Sequence, residues 1–599
     1  MCGIFGVVGN SINKYKDNQI KEALFSLKKR GPDDSGMYKS PNCILAHTRL
    51  SIIDISGGKQ PMFDEKENFI ITFNGEIYNF KDIKKILEDK GYKFNTNSDT
   101  EIILMSYKEY GEKCLDLFEG MYAFAIFNKN KNELFIARDR FGKKPFYYTF
   151  DDDNNFIFSS EIKAIFSLGG IKGEINPEAI NDYLRLLYIP PYKTIYKNIY
   201  TLKPAHFGII KINNIRDLKI QRYWNLENKE INISYDEAKE KIKKLLDKSI
   251  TRRMISDVNV GSMLSGGVDS TLISFLAQKK IQSPLKTFSV GFEDFINELP
   301  YAREAAEKIQ SDHNELVMNI DIAKELTNIY SYLDEPNADA SIIPTYLISK
   351  LAKEKNTSVL LSGDGADELF IGYGWYWKYW NIGWKIKIKS FNLFPNQFRY
   401  FLNQLTSFID KKERKLLWKN KIYSNSKIFT NFSNDKNITD LKKITNFDIN
   451  MYLPGDLLSK VDRSSMMASV EVRCPFLDKE LFEFVYNLPA EYKTDKKSGK
   501  IILKEILGEI MPKEFVNRRK QGFGPPIINW LLKKEMKKLV KEIFITNKAE
   551  IYLFFKEDYV KKIINEFYIK NNSAKYGIKL WILICLELWF KNNKKHIKI

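Results

Sequence analysis

The chain has 599 residues, 44% hydrophobic and 28% charged, enough to bury large cores in two or three domains. Its net charge is +19, yet the lysines and arginines are scattered beside Asn and Ile along the whole length, which argues against a nucleic-acid-binding stripe. Five cysteines (Cys2, Cys43, Cys114, Cys474, Cys585) without CxxC spacing, and only four histidines, argue against a zinc site and a disulfide framework.

No basic-then-apolar leader opens the sequence. The longest apolar run, Leu580 to Phe590, contains Glu587 and is too short for a bilayer. A cytoplasmic protein with a buried C-terminal helix is expected.

From Met1 to residue 211 the chain is a succession of short strand-like runs: Cys2–Val8, Ile44–Ile53, Phe69–Phe73, Met121–Phe127, Glu133–Ala137 and Phe156–Phe158. Helical patterns cover Lys81–Lys90 and Thr100–Tyr110. The pattern suits two packed sheets flanked by helices. Its chemistry gathers at Cys2. Removal of Met1 leaves Cys2 with a free α-amine that titrates near neutral pH and can take the thiol proton without a histidine.

An amide-hydrolysing thiol needs an oxyanion hole, which the Asn74 side chain and the Gly75 N–H can form after the Phe69–Phe73 strand. It also needs a clamp for an amino-acid substrate. Arg49 pairs with a carboxylate, while Glu76 and Asp99 hold an ammonium. Residues 212–234 are polar and read as a linker, and Tyr235–Arg253 as an amphipathic helix opening a second domain, 235–599.

Next comes a strand, Val258–Leu264, that breaks into Ser265-Gly266-Gly267-Val268-Asp269-Ser270 and opens a helix. Such a turn aims backbone N–H groups at an anion, and the glycines let it approach closely. Asp269 makes sense there only with a divalent cation between it and the phosphates, so the turn reads as a pyrophosphate site with Mg²⁺. No Lys-Ser/Thr follows the glycines, so it is not a Walker loop.

Strands at Lys286–Phe292, Asn314–Met318 and Thr357–Leu361, with helices between, predict a doubly wound parallel α/β core with ligands at the strands' C-terminal ends. After the last of these, Ser362-Gly363-Asp364-Gly365-Ala366-Asp367-Glu368 puts Asp367 beside Asp269 as a second ligand for the cation. The aromatic run Gly372–Ile388 is read as helix packing in preference to a base-stacking platform. Residues 390–445 and 530–599 read as helical without legible chemistry.

Together MCGIFG, RGPDDSG, HTRLSIID, GGKQP, FNGEIYN, SDTE and RDRFGKKPFYY resemble the class II glutamine amidotransferases. With SGGVDS behind them, and with KVDR, EVRCPFLD, GKIILK and RRKQGF later, the chain resembles the glutamine-hydrolysing asparagine synthetases over nearly its whole length. The resemblance implies an N-terminal-nucleophile αββα sandwich followed by an ATP-pyrophosphatase domain with helical additions. It implies Leu50 and Ile53 beside Arg49 in a glutamine site, and Leu264, Ser265, Gly266, Gly267, Asp269, Ser270, Val290, Ser362 and Gly363 around ATP. It also implies Lys500 near the α-phosphate and soluble small-molecule substrates, and its members are often homodimers.

The sequence departs from that pattern in two places. Where many members carry Thr-x-x-Arg, this chain has Asn337-Ala338-Asp339-Ala340, and Asp364 replaces a glutamate. The acceptor is therefore read as aspartate or, alternatively, as a uronic acid or another carboxylate.

Overall fold

A computed structural model describes residues 1–599 except 230, 293–296, 377–406, 421–439, 496, 519–523, 571–572 and 599. The first half of the chain yields β1 (Gly3–Val8), β2 (Asp34–Lys39), β3 (Cys43–Arg49), β4 (Met62–Phe63), β5 (Phe69–Ile77), β6 (Gly120–Asn128) and β7 (Glu133–Arg138). It continues with β8 (Tyr147–Phe150), β9 (Phe156–Ser159), β10 (Gly173–Glu174), β11 (Tyr200–Thr201), β12 (His206–Lys211) and β13 (Lys219–Arg222). Beyond these come β14 (Val260–Met263), β15 (Lys286–Phe292), β16 (Asp312–Met318), β17 (Val359–Leu361), β18 (Glu471–Arg473) and β19 (Ile597–Lys598).

Two six-stranded sheets, ordered β11-β8-β9-β1-β3-β2 and β13-β12-β7-β6-β5-β4, face each other. Ile4, Val8, Leu45, Ile70, Ala123 and Phe158 fill the space between them. Helix Asp17–Ser26 covers the outside of the first sheet through Ile20 and Ala23 packed with Phe5 and Val7. Helices Phe80–Glu88 and Asp99–Tyr110 cover the second through Ile83 and Ile103 against Phe73 and Phe124. Every residue of β1 is buried, so its sequence is a continuous apolar run with no polar alternation. The result is an αββα sandwich.

A third sheet, β16-β15-β14-β17-β18, is parallel throughout. Helices Val268–Gln278, Leu299–Ile309 and Ile342–Glu354 join its strands, which makes it doubly wound. Helix Tyr235–Arg253 starts with a Ser234/Glu237 capping box and buries Ala238, Ile242, Leu246 and Ile250, four residues apart each time. Helix Ser573–Asn593 carries the apolar run Leu580–Phe590. Its buried Glu587 accepts the N–H groups of Glu550 (3.1 Å) and Ile551 (3.0 Å), which satisfies a charge inside an apolar face. No helix among the described residues is long and apolar enough to cross a membrane.

Several boundaries differ from the sequence expectation. Strand β3 ends at Arg49, short of Ile53, because the Arg49 guanidinium gathers the carbonyls of Ile53, Asp54 and Ile55 into a loop. Strand β5 runs on to Ile77, so Asn74 and Gly75 lie inside it. The stretch 212–234 contains β13, which pairs with β12 and extends the second sheet. β13 is exposed throughout, and β2 nearly so, which removes the apolar periodicity that would reveal them. Of the aromatic run, Tyr373, Trp375 and Tyr376 pack with one another, and the first two also against Tyr452; residues 377–388 lie outside the described residues, as do 519–523 and most of 390–445.

Candidate active sites

Cys2 sits at the head of β1 between the two six-stranded sheets. Its backbone N–H donates to Asn74 Oδ1 (3.0 Å), and its thiol faces the Leu50 carbonyl at 4.0 Å. Asn74 Nδ2 is buried and has no hydrogen-bond partner among the described residues, leaving a donor beside the thiol for an oxyanion. Gly75 has φ +153°, and a Cβ there would lie 2.0 Å from the Met121 carbonyl oxygen, so only glycine lets β5 pass β6 at that point. Burial raises the Cys2 thiol pKa, so to act as a nucleophile it would need a base. His47 is not that base: burial lowers its pKa to about 3, and its Nε2 lies 3.1 Å from the Phe73 carbonyl oxygen.

Three N–H groups of Arg49 are spent on the 53–55 loop, at 2.8 Å (Ile55 O), 3.2 Å (Ile53 O) and 2.6 Å (Asp54 O). Beside the carboxylate clamp expected of Arg49, these contacts shape the loop that carries Ile53. Glu76 and Asp99 do come together. Burial pushes the Asp99 carboxyl up to about 7, against the pull of the Ile77 N–H that it accepts at 2.9 Å. Burial also raises Glu76 well above the usual range, with Glu471 and Asp99 adding to it and Arg473 opposing. A substrate ammonium would relieve both.

The second centre lies at the C-terminal ends of β14 and β17. Ser265 Oγ and Ser270 Oγ stand 3.1 Å apart, and Gly267 N–H donates to Ser265 Oγ (3.3 Å). Gly266 has φ +68° and packs directly under the Tyr301 backbone, where a Cβ would approach to 2.5 Å. Helix Val268–Gln278 begins at Gly267 without a side-chain cap. Gly363 abuts Asp269: a Cβ on Gly363 would sit 3.0 Å from the Asp269 Cβ. Lys500 Nζ lies 2.5 Å from Asp269 and 2.8 Å from Asp367. Val290 is buried near the end of β15, and Leu264 N–H donates to the Phe288 carbonyl, which joins this strand end to the turn.

Asp269 and Asp367 thus bracket one cationic group from the first turns of two helices. Two carboxylates suit a hard dication whose remaining ligands are phosphate oxygens and water. Among the described residues no cluster of three or more metal-binding side chains occurs.

Strand β18 ties the two centres together. Arg473 Nε donates to Glu471 (2.7 Å), and its Nη2 lies 3.5 Å from Glu76 at the first centre. The Arg473 carbonyl accepts the Ser362 N–H (2.9 Å) at the second. The Met1 ammonium lies 3.3 Å from Glu471. A second link is Arg30, which donates to the Cys2 carbonyl (3.1 Å) and to Asp462 (2.8 Å). A cavity of about 40 Å³ between the halves is lined by Tyr147, Tyr188, Asn337, Gly455 and Asp462, among others.

Comparison with known proteins decides the family. Residues 1–224 match the glutamine amidotransferase domain, and residues 241–591 match asparagine synthase. The chain belongs to the glutamine-hydrolysing asparagine synthetase family. It is 32% identical to asparagine synthetase [glutamine-hydrolyzing] 1 of Bacillus subtilis (strain 168), covering 99% of this chain and 97% of that protein. It is 32% identical to number 3 of the same organism, over 87% of each. A putative asparagine synthetase 2 of Methanocaldococcus jannaschii is 40% identical over 62% of this chain and 76% of its own.

Within this synthetase-family chain, the side chains that sequence reading did not assign are the interdomain ones: Arg30, Lys144, Asp462, Glu471 and Arg473. Each is buried and charged. Their signal was present in the charged positions of RGPDD, FGKKPF, KVDR and EVRCP.

Proposed function

We propose that this chain makes asparagine from aspartate, taking nitrogen from glutamine and driving the step with ATP. Cys2, freed of Met1, attacks the glutamine side-chain amide while its own α-amine takes the thiol proton; the tetrahedral adduct returns that proton to the nitrogen and expels ammonia, leaving a glutamyl thioester. Water then releases glutamate. Asn74 Nδ2 and the Gly75 N–H stabilise the oxyanion, while Glu76 and Asp99 hold the substrate ammonium. Leu50 and Ile53 line the same pocket, and the N–H groups of Arg49 not spent on the loop pair with the substrate carboxylate.

At the second centre a side-chain carboxylate oxygen of aspartate attacks the α-phosphorus of ATP, and pyrophosphate departs. The turn Ser265–Ser270, with Ser362 and Gly363, receives it, and Leu264 and Val290 flank the nucleoside. Lys500 offsets the charge that develops on the leaving group. Asp269 and Asp367 would hold Mg²⁺, which when bound neutralises the phosphates. Ammonia adds to the acyl carbon of the aspartyl adenylate and AMP leaves, forming the amide. Ammonium in water is protonated and not nucleophilic, so the two centres need an enclosed route.

The observation that carries this reading is the chain of contacts from Cys2 through Arg30 to Asp462, which together with Asn337 lines the cavity between the halves. Purified protein given ATP, Mg²⁺, glutamine and aspartate should yield AMP, pyrophosphate, glutamate and asparagine. Formation of an amidated uronic acid with galacturonate, and no asparagine with aspartate, would replace the reading.

A further inference from the structure

Where many family members place an arginine for the acceptor, this chain has none between Asn337 and Ala340. The structure supplies a different cation at that spot. Lys460, on helix Leu458–Met467, reaches Asp339 Oδ2 (2.6 Å) and Ser341 Oγ (2.7 Å). An ammonium has three donors, and these two contacts use two of them.

Three carboxylates surround this one lysine. Asp456 accepts from Asn337 Nδ2 (2.9 Å), and its carboxyl is pushed up to about 7 by burial, with Asp339 adding and Lys460 opposing. Asp364, on the loop after β17, also acts on Lys460, and burial raises its carboxyl. The group therefore spans from the acidic loop of the ATP centre to the segment Asn337–Ser341. Lys460 and Asp456 are buried, while Asp339 and Asp364 are half-buried, so the cluster meets solvent through Asp339, 20% exposed at its side chain, and Asp364. An excess of carboxylate over ammonium suits a ligand that brings its own cation.

We propose that Lys460 and Asp339 are the acceptor's specificity residues. The ammonium of Lys460 takes the acceptor's α-carboxylate, and Asp339, released from that ion pair, takes its α-ammonium. The side-chain carboxylate is left pointing at ATP. The pair selects an α-amino dicarboxylate and rejects a uronic acid, which has no ammonium to offer Asp339. This inference rests on the proposed amidation of aspartate and names the residues that read the acceptor.

The test uses the full-length chain with ammonium chloride as nitrogen source, and three acceptors: aspartate, 3-aminopropanoate (no α-carboxylate) and succinate (no α-ammonium). Wild type should prefer aspartate over both analogues. In Lys460→Met, kcat/KM for aspartate should fall by about 10- to 100-fold, the size of a lost charge-assisted hydrogen bond. The 3-aminopropanoate value should barely move, so discrimination between these two disappears. Lys460→Arg should restore part of it. Asp339→Asn should erase discrimination against succinate instead. Equal losses for all three acceptors in Lys460→Met would mean that the lysine only supports the fold, and the proposal would fall while asparagine synthesis stood. If wild type makes no asparagine at all, the functional reading fails first.

Discussion

Arg30 Nη1 donates to Asp462 Oδ2 at 2.8 Å, joining residues 432 positions apart across the boundary between the two halves. The same guanidinium holds the Cys2 carbonyl and Glu161. All three side chains, those of Arg30, Asp462 and Glu161, are buried. The pairing keeps Asp462 ionised below the usual carboxylate range despite burial, with Arg30 the main cause and Lys144 the next. Arg30 thus holds the Cys2 backbone and fastens it to the wall of the cavity between the two halves.

Replacing Arg30 with Ala should therefore cost stability and coupling together. Breaking a buried ion pair from one side costs about 3–5 kcal/mol, and Lys144 at 3.3 Å from Asp462 keeps the loss near the lower end. Thermal unfolding should shift down accordingly. In the surviving protein, more glutamate should form per asparagine. An unchanged melting curve would contradict the assignment of Arg30 as a fastener.

Changing Cys2 to Ala should abolish glutamine-dependent synthesis by about 10³-fold or more, because nothing else at that site is a nucleophile. Synthesis from added ammonium should persist. Both rates are read from AMP release with each nitrogen source. Loss of both would deny the division of labour between the centres.

Asn74→Ala removes the buried Nδ2 donor and the acceptor of the Cys2 N–H. Loss of one oxyanion donor lowers kcat by about 10²–10³. Glutamine hydrolysis should drop by that factor with a smaller change in KM. A pure KM effect would make Asn74 a binding group.

The Asp99 carboxyl titrates at about 7, raised by burial from its ordinary value. Its folded-state pKa is above the unfolded one, so the stability it contributes is fully present below about pH 4 and is lost as pH rises through 7. Binding runs the other way. A glutamine ammonium needs the ionised carboxylate, so KM for glutamine should fall as pH rises from 6 to 8. Asp99→Asn should flatten that dependence and raise KM throughout. A profile unaltered by the substitution would remove Asp99 from the site.

Lys500 bridges Asp269 and Asp367 at 2.5 and 2.8 Å. Lys500→Met should slow ATP-dependent pyrophosphate release by about 10²–10³, in the range of a lost transition-state donor, while glutaminase turnover continues. Equal loss of both activities would point to misfolding of the sheet.

Much of the fold was legible wherever local rules sufficed. The run CGIFGVV, the capping box at Ser234 and Glu237, and the Gly-Gly turn before Val268 are each decided by residues within a few positions of one another. Less legible were β2 and β13, because exposed edge strands carry no apolar period, and β18, because three residues show none. Arg49 illustrates the limit within the site. Its position beside the thiol was readable, but the loop carbonyls it binds follow from a turn that no spacing announces.

The sequence by itself determined the chemistry available: a thiol at position 2, a Gly-Gly turn between a strand and a helix, two acidic segments after strands and a lysine to face them. Such signals are short, and backbone geometry over six or seven residues decides what they can bind. Tertiary structure alone decided the wiring, in which Arg30 meets Asp462, Arg473 meets Glu76, and Lys460 meets Asp339. Those pairs lie far apart in the chain, and a charge is tolerated in a dry interior only when the fold delivers its partner.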